Sequence, residues 1–216
     1  MGRVLGFEFE KLVVAVLLSR PELKPELLAR LEESFGPADW LSPELPFGHT
    51  HYYDAEMGQP ITRFFVSCQQ LVDPAGLAGA KRTTNDLEEK FRRPGLRAGI
   101  PPTSLSGFAA GLRAGIPPTS LSGFAAGLRA GIPAGLRPVN LDPGLLSLAR
   151  FVLASTKPSA HRVPLASGIY AEIELLFERG SFRPVEWTYP DYRTREYLDI
   201  LGHIRGLLKA QRAGTS

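Results

Sequence analysis

Four short stretches of the chain gather residues able to do chemistry. The first, FGHTHYYDAEMG at 47–58, places His49 and His51 two apart, with Asp54 and Glu56 close behind. On a strand that spacing turns both imidazoles to one side, and imidazoles beside carboxylates can hold a divalent cation. An exposed polar loop explains the same residues, and no third ligand is marked, so no metal is assigned. The second, NLDPG at 140–144, sets Asn140 and Asp142 where a strand is expected to meet a helix. Backbone N–H groups at a helix start can receive an anion, and the Asp142 carboxylate can equally cap them itself. The third, TKPSAHR at 156–162, carries Lys157, His161 and Arg162, a set that grips phosphate or carboxylate. Cations beside a helix C-terminus would look the same. The fourth, EWTYPDY at 186–192, mixes aromatics and acids, which suits a pocket wall, a partner surface or an anchor for the last helix.

Several common signatures are missing: no P-loop, no dinucleotide-binding glycine pattern, no H-E-x-x-H and no cysteine pair for zinc. Cys68 is the only cysteine. It sits in an apolar run, which favours a buried structural thiol over a nucleophile, and it has no disulfide partner. A reducing cytoplasm is the expected compartment. The apolar run LVVAVLL at 12–18 is too short to span a bilayer, and no basic segment with a cleavage site precedes it, so neither a membrane span nor a leader is expected.

The elements that must position these residues follow from periodicity. The run at 12–19 reads as a buried strand, and 21–35 as an amphipathic helix closed by Gly36-Pro37. Residues 40–47 read as an extended edge with Pro43 and Pro46, and 61–72 as a second strong strand. Asp73-Pro74 opens a helix to about Arg92, with Leu77, Ala80, Thr84, Leu87 and Phe91 inward. A short strand at 137–141 is followed by Asp142-Pro143 and an apolar helix at 145–155. Strands at 162–165 and 169–177, a turn at 178–181 and a strand at 182–185 come next, and a helix at 195–211 closes the chain. This order predicts an α+β fold: a ferredoxin-like βαββαβ core extended by a helix, a β-hairpin and a C-terminal helix on one mixed sheet.

Between 95 and 133 the unit GLRAGIPPTSLSGFAA occurs twice without a difference, and a third copy stops after GLRAGIP. The unit is shorter than a solenoid repeat and full of Gly and Pro. A partner-binding arm is one reading. Perfect identity favours a tandem expansion tolerated in a loop, because packed copies would face different neighbours. Residues 95–137 are therefore expected to be an insertion without fixed structure, with 1–94 and 138–212 forming one domain. The insertion also accounts for the sequence pI of about 9.1. It carries four arginines and no acid, and removing them from the net +3 leaves −1 for the rest. Nucleic acid is not expected as a partner on that balance.

Taken in order, the motifs resemble a family of bacterial proteins of unknown function, DUF4416. They are Phe47, Thr50, Tyr52, Tyr53, Glu56, Met57 and Gly58; residues 140–144; Thr156, Lys157, His161 and Arg162; 168–172, ending in Glu172; and 187–192. The likeness covers roughly 10–94 and 137–211, leaves the repeat outside the pattern and does not include His49 or His51. It implies no particular reaction, cofactor or oligomeric state. Core packing does not call for Asn140, Lys157, His161, Arg162 or Glu172, and polar residues at the ends of elements are what a binding site uses. The candidate catalytic residues are Glu56, Asp142, His161 and Glu172. The candidate ligand-binding residues are Tyr52, Tyr53, Asn140, Lys157, Arg162 and Tyr189. The expected ligand is small and anionic, bearing phosphate or carboxylate. The competing reading is a protein-interaction module with an aromatic patch of Tyr52, Tyr53, Trp187, Tyr189 and Tyr192.

Overall fold

The computed structural model describes residues 6–48, 50, 52–92 and 137–214. The expectations for His49, His51 and, up to residue 136, the repeat lie outside the described residues. The strands are β1 (Glu10–Leu18), β2 (Ala38–Leu41), β3 (Leu45–Pro46), β4 (Thr62–Val72), β5 (Val139–Leu146), β6 (Arg150–Ser155), β7 (Val163–Pro164), β8 (Tyr170–Glu178) and β9 (Ser181–Pro184). The helices are α1 (Lys24–Phe35), α2 (Asp54–Met57), α3 (Leu77–Phe91) and α4 (Arg195–Gly214). The strands form one sheet in the order β2-β4-β1-β5-β6-β8-β7, with β3 also on β4 and β9 on β8. Every pairing is antiparallel, so the sheet is not mixed. The fold is α+β.

β1 is buried at all of its positions because both faces of the sheet are covered. Val14, Val16 and Leu18 pack with Leu27 and Leu31 of α1 and Leu87 and Phe91 of α3. Val13 and Ala15 pack on the other face, in the cluster that holds Leu201, Ile204 and Leu208 of α4. Side chains alternate across a strand, so a strand covered twice must be apolar throughout, as this one reads. α1 ends at Gly36, whose φ of +79° is left-handed and suits glycine. Asp73 Oδ1 accepts from Ala75 N at 2.9 Å and caps the turn that leads into α3. No helix among the described residues is long and apolar enough to cross a membrane.

The main departure from expectation lies at 142–155. The helix expected there is instead the β5–β6 hairpin, and Asp142 is a mid-strand residue rather than a helix cap. Apolar residues on both parities mimic a buried helix, and two facts of close packing decide for strands. Gly144 pairs with Leu153, and a Cβ on it would lie 2.6 Å from Val152 O and 2.7 Å from the Phe151 ring. Ser147 Oγ accepts from the amides of Ala149 and Arg150, both at 3.1 Å, which closes a turn that has no glycine or proline. His161 and Arg162 therefore follow a strand, and no helix C-terminus explains their charge.

β5 and β6 pair only at Gly144↔Leu153, Leu145↔Val152 and Leu146↔Phe151. Toward the N-terminal half of β5 the two strands part, and Pro143, which has no N–H to donate, sits beside the opening. The split leaves backbone groups of β5 without a strand partner, and α3 supplies side chains in their place. Leu141 N donates to Glu88 Oε1 at 2.7 Å, and Lys81 Nζ donates to Leu141 O at 2.7 Å. Buried backbone polar groups need partners, so a lysine and a glutamate on the inner face of α3 are what the split requires.

Candidate functional site

The split opens into a cleft of about 690 Å³, a size suited to a small molecule. It draws on both layers. Lys81, Asn85 and Glu88 come from α3, and Asn140 and Asp142 from the parted half of β5. Arg63 of β4 and the segment 189–192 come from the α4 side, where Phe65, Tyr192 and Tyr197 stack edge to face. The segment carrying Phe47, Tyr52, Tyr53 and Glu56 also lines it, as do Ser155 at the end of β6 and Thr156 and Lys157 beyond, and the two meet where Lys157 reaches Tyr52.

Of the residues named from sequence, Tyr52, Tyr53, Glu56, Asn140 and Asp142 line this cleft, as do Lys157, Glu172 and Tyr189. His161 and Arg162 do not line it. They stand behind Glu172, whose two oxygens they occupy: His161 Nε2 at 2.8 Å from Oε2 and Arg162 Nη2 at 2.9 Å from Oε1. The His161 ring stacks on Trp187, with centroids 5.2 Å apart. Arg162 also donates to Tyr189 Oη at 2.6 Å and to Lys157 O at 2.8 Å. Glu56 is half-exposed and paired with Arg137 at 3.0 Å.

Asp142 sits in a different setting. Burial disfavours its charge. Lys81 and Arg63 together with hydrogen bonds from Lys81 and Asn140 outweigh that and hold its carboxyl below the usual carboxylate range. The bonds are Lys81 Nζ to Oδ1 at 3.1 Å and Asn140 Nδ2 to Oδ2 at 2.8 Å. Glu88 is pushed the other way, upward, because burial outweighs the nearby Lys81 and Arg137. Among the described residues no cluster of three or more His, Cys, Asp or Glu side chains could hold a metal ion.

Arg63 was not singled out from the sequence. Only 4% exposed, it has one hydrogen-bonded carboxylate partner, Asp191, at a long 3.3 Å. Nε and Nη1 are buried and reach no carboxylate among the described residues, and the Tyr197 hydroxyl is the neighbour that hydrogen-bonds to the guanidinium. Burial works against its charge, but the carboxylates of Asp191 and Asp142 keep it protonated. Phe47 and Tyr192 lie over the guanidinium, with centroids 5.2 and 5.8 Å away. A single arginine inside ITRFFVSC was the available signal, since a charge in a strand covered on both faces needs a reason. Lys81 and Glu88 do not stand out in the sequence because the inward period of α3 runs through Leu77, Ala80, Thr84, Leu87 and Phe91 and passes beside them. They are buried beside Thr84, at helical spacing.

The cations of the cleft are unevenly neutralised. Lys81 is spent on Asp142, Arg137 on Glu88 and Glu56, and Arg92 on Glu89. Lys157 has no carboxylate partner among the described residues, and its ammonium lies 4.2 Å from the centroid of the Tyr52 ring. Cys68 lies outside the cleft, and its thiol is pushed up to about 12 by burial, so it is no nucleophile at neutral pH.

A family profile described as "Domain of unknown function (DUF4416)" matches residues 8–99 and 129–207, most of the chain. The chain belongs to that family. No curated protein and no solved structure gives a match.

Proposed function

We propose that this member of the DUF4416 family binds a small molecule through an anionic group, phosphate or carboxylate, held in the cleft by Arg63. The observation that carries the reading is a buried guanidinium in the cleft wall whose Nε and Nη1 meet no carboxylate among the described residues, its one carboxylate contact there being Nη2 to Asp191 at 3.3 Å. A buried cation paired this weakly is costly, and an oxyanion with several acceptor atoms would relieve that cost. Asn140 and Tyr53 complete the polar wall. Asp142 and Glu172 each have both oxygens engaged, so in this cleft they serve to fix the donors around them rather than to take a proton.

The reading includes an architecture. The sub-order β5-β1-β4-β2 with α1 and α3 supports a ferredoxin-like unit as the scaffold, extended by β6 to β9 and α4. We further infer one domain from residues 1–94 and 138–212, interrupted at 95–137. Two observations support this: β5 pairs along β1, and residues 100–128 fall between the matched family segments.

A second reading, an aromatic docking surface, is favoured by the exposure of Tyr52, Trp187 and Tyr189. It is weakened by Tyr192, which is 2% exposed and belongs to the core.

The test is thermal unfolding with inorganic phosphate, phenyl phosphate and benzoate. A ligand at a hundred times its Kd adds roughly 2.7 kcal/mol, about 5–10 °C for a chain of this size. The expected result is such a shift with the phosphates or with benzoate, which names the class, and its loss in Arg63→Gln. Arg63→Lys keeps the charge and loses the fork, so it should weaken binding about ten-fold. No shift with any anion, or unchanged binding in both variants, rules the reading out.

A further inference from the structure

Two phenols at the cleft each accept a hydrogen bond from a cationic side chain. Lys157 Nζ donates to Tyr52 Oη at 2.7 Å, and Arg162 Nη2 donates to Tyr189 Oη at 2.6 Å. A phenol oxygen has one proton to give and lone pairs to accept with. A cation that takes a lone pair turns that proton away from itself and polarises the O–H bond, which makes the hydroxyl a stronger donor. No described residue accepts either proton, and both rings are exposed at the cleft, Tyr52 at 58% and Tyr189 at 43%.

The two cations belong to one short segment and are tied together. Arg162 Nη1 donates to Lys157 O at 2.8 Å, and Glu172, 3% exposed, anchors Arg162 from β8. The arrangement is thus built rather than incidental: one buried carboxylate holds one arginine, which positions a phenol and braces the backbone of the lysine that positions the other. Arg63 belongs to a different element, β4.

We propose that Tyr52 and Tyr189 form a second oxyanion receptor in the cleft, so that its ligand carries an acidic group at each of two ends. One end is for Arg63 and the other for the phenols, and the claim rests on the reading of Arg63 given above. Phe47, Tyr53 and Tyr192 line the same cleft, so the body joining the two acidic groups is apolar or planar.

The experiment is calorimetric titration of the full chain with ω-carboxyalkyl phosphonates of graded length, each against the alkyl phosphonate of equal length. At one length the two-ended compound is expected to bind on the order of thirty-fold tighter, the worth of hydrogen bonds to a charged group less the cost of ordering the chain. Tyr52→Phe and Tyr189→Phe, which keep the rings, are each expected to cut that advantage about five-fold and to leave the alkyl phosphonate unchanged. A merely structural tyrosine would not alter that ratio. Equal affinity within every pair, with alkyl phosphonates still bound, overturns the second receptor and spares the Arg63 reading. An advantage that survives both substitutions overturns the role of the phenols. No binding by either series overturns both proposals.

Discussion

At pH 7 the carboxyl of Glu174 holds its proton. The residue is fully buried on β8, and burial pushes its pKa to about 8 from an ordinary 4.5, against the pull of a hydrogen bond from Tyr189 N. Below pH 4.5 the folded and unfolded chains are both protonated, and the group is neutral to stability. Between 4.5 and 8 the folded chain keeps a proton that the unfolded chain has released, so stability falls as pH rises, by roughly 3 kcal/mol at pH 7. Above 8 the loss is constant. Glu174→Gln removes this slope. Its denaturation midpoint is expected to match the native chain near pH 5 and to exceed it at pH 8. A difference that does not grow across that range would show that Glu174 is not the titrating group. Arg63 presents the converse case, a charge that stays on at every working pH, and its N–H groups therefore require an acceptor rather than a proton.

The β5–β6 hairpin and α3 depend on single atoms. Gly144→Ala places a methyl 2.6 Å from Val152 O, a backbone atom that cannot yield without breaking the pairing. It is expected to cost about 2–4 kcal/mol in urea unfolding. Lys81→Met keeps the length of the side chain, strands Leu141 O and leaves Asp142 without its cation. About 3 kcal/mol of lost stability is expected, with a raised Asp142 pKa visible by carboxyl NMR. The same elements show what can be read from the chain alone. β1, β4, α1, α3 and α4 announce themselves by apolar period and by cap residues such as Asp73. The hairpin does not, because its turn is Ser147-Leu148-Ala149 and its apolar residues fit two periods. Asn140, Asp142 and Glu172 stand out as polar residues without a packing role. Lys81 and Glu88 do not, because their reason is a backbone edge created by a distant strand departure, which no local pattern encodes.

Across the whole molecule, the residues flanking the repeat belong to elements that meet at the cleft: Arg92 ends α3, and Arg137 precedes β5 and is fixed by Glu56 and Glu88. If 95–137 is an insertion, deleting residues 100–128 shortens only a connection. Loop closure depends weakly on length, so the deletion is expected to move Tm by no more than about 3 °C and to leave anion binding intact. A collapse of Tm would mean that the repeat is part of the fold.

The narrow contact between β5 and β6 carries a mechanical consequence. Within the sheet, the plate that bears Arg63 is riveted to the plate that bears Glu172 by three residue pairs. A molecule gripping both plates would act as a brace across that neck. Amide exchange at 144–146 and 151–153 should then slow on binding more than in β1, which is already locked between two neighbours.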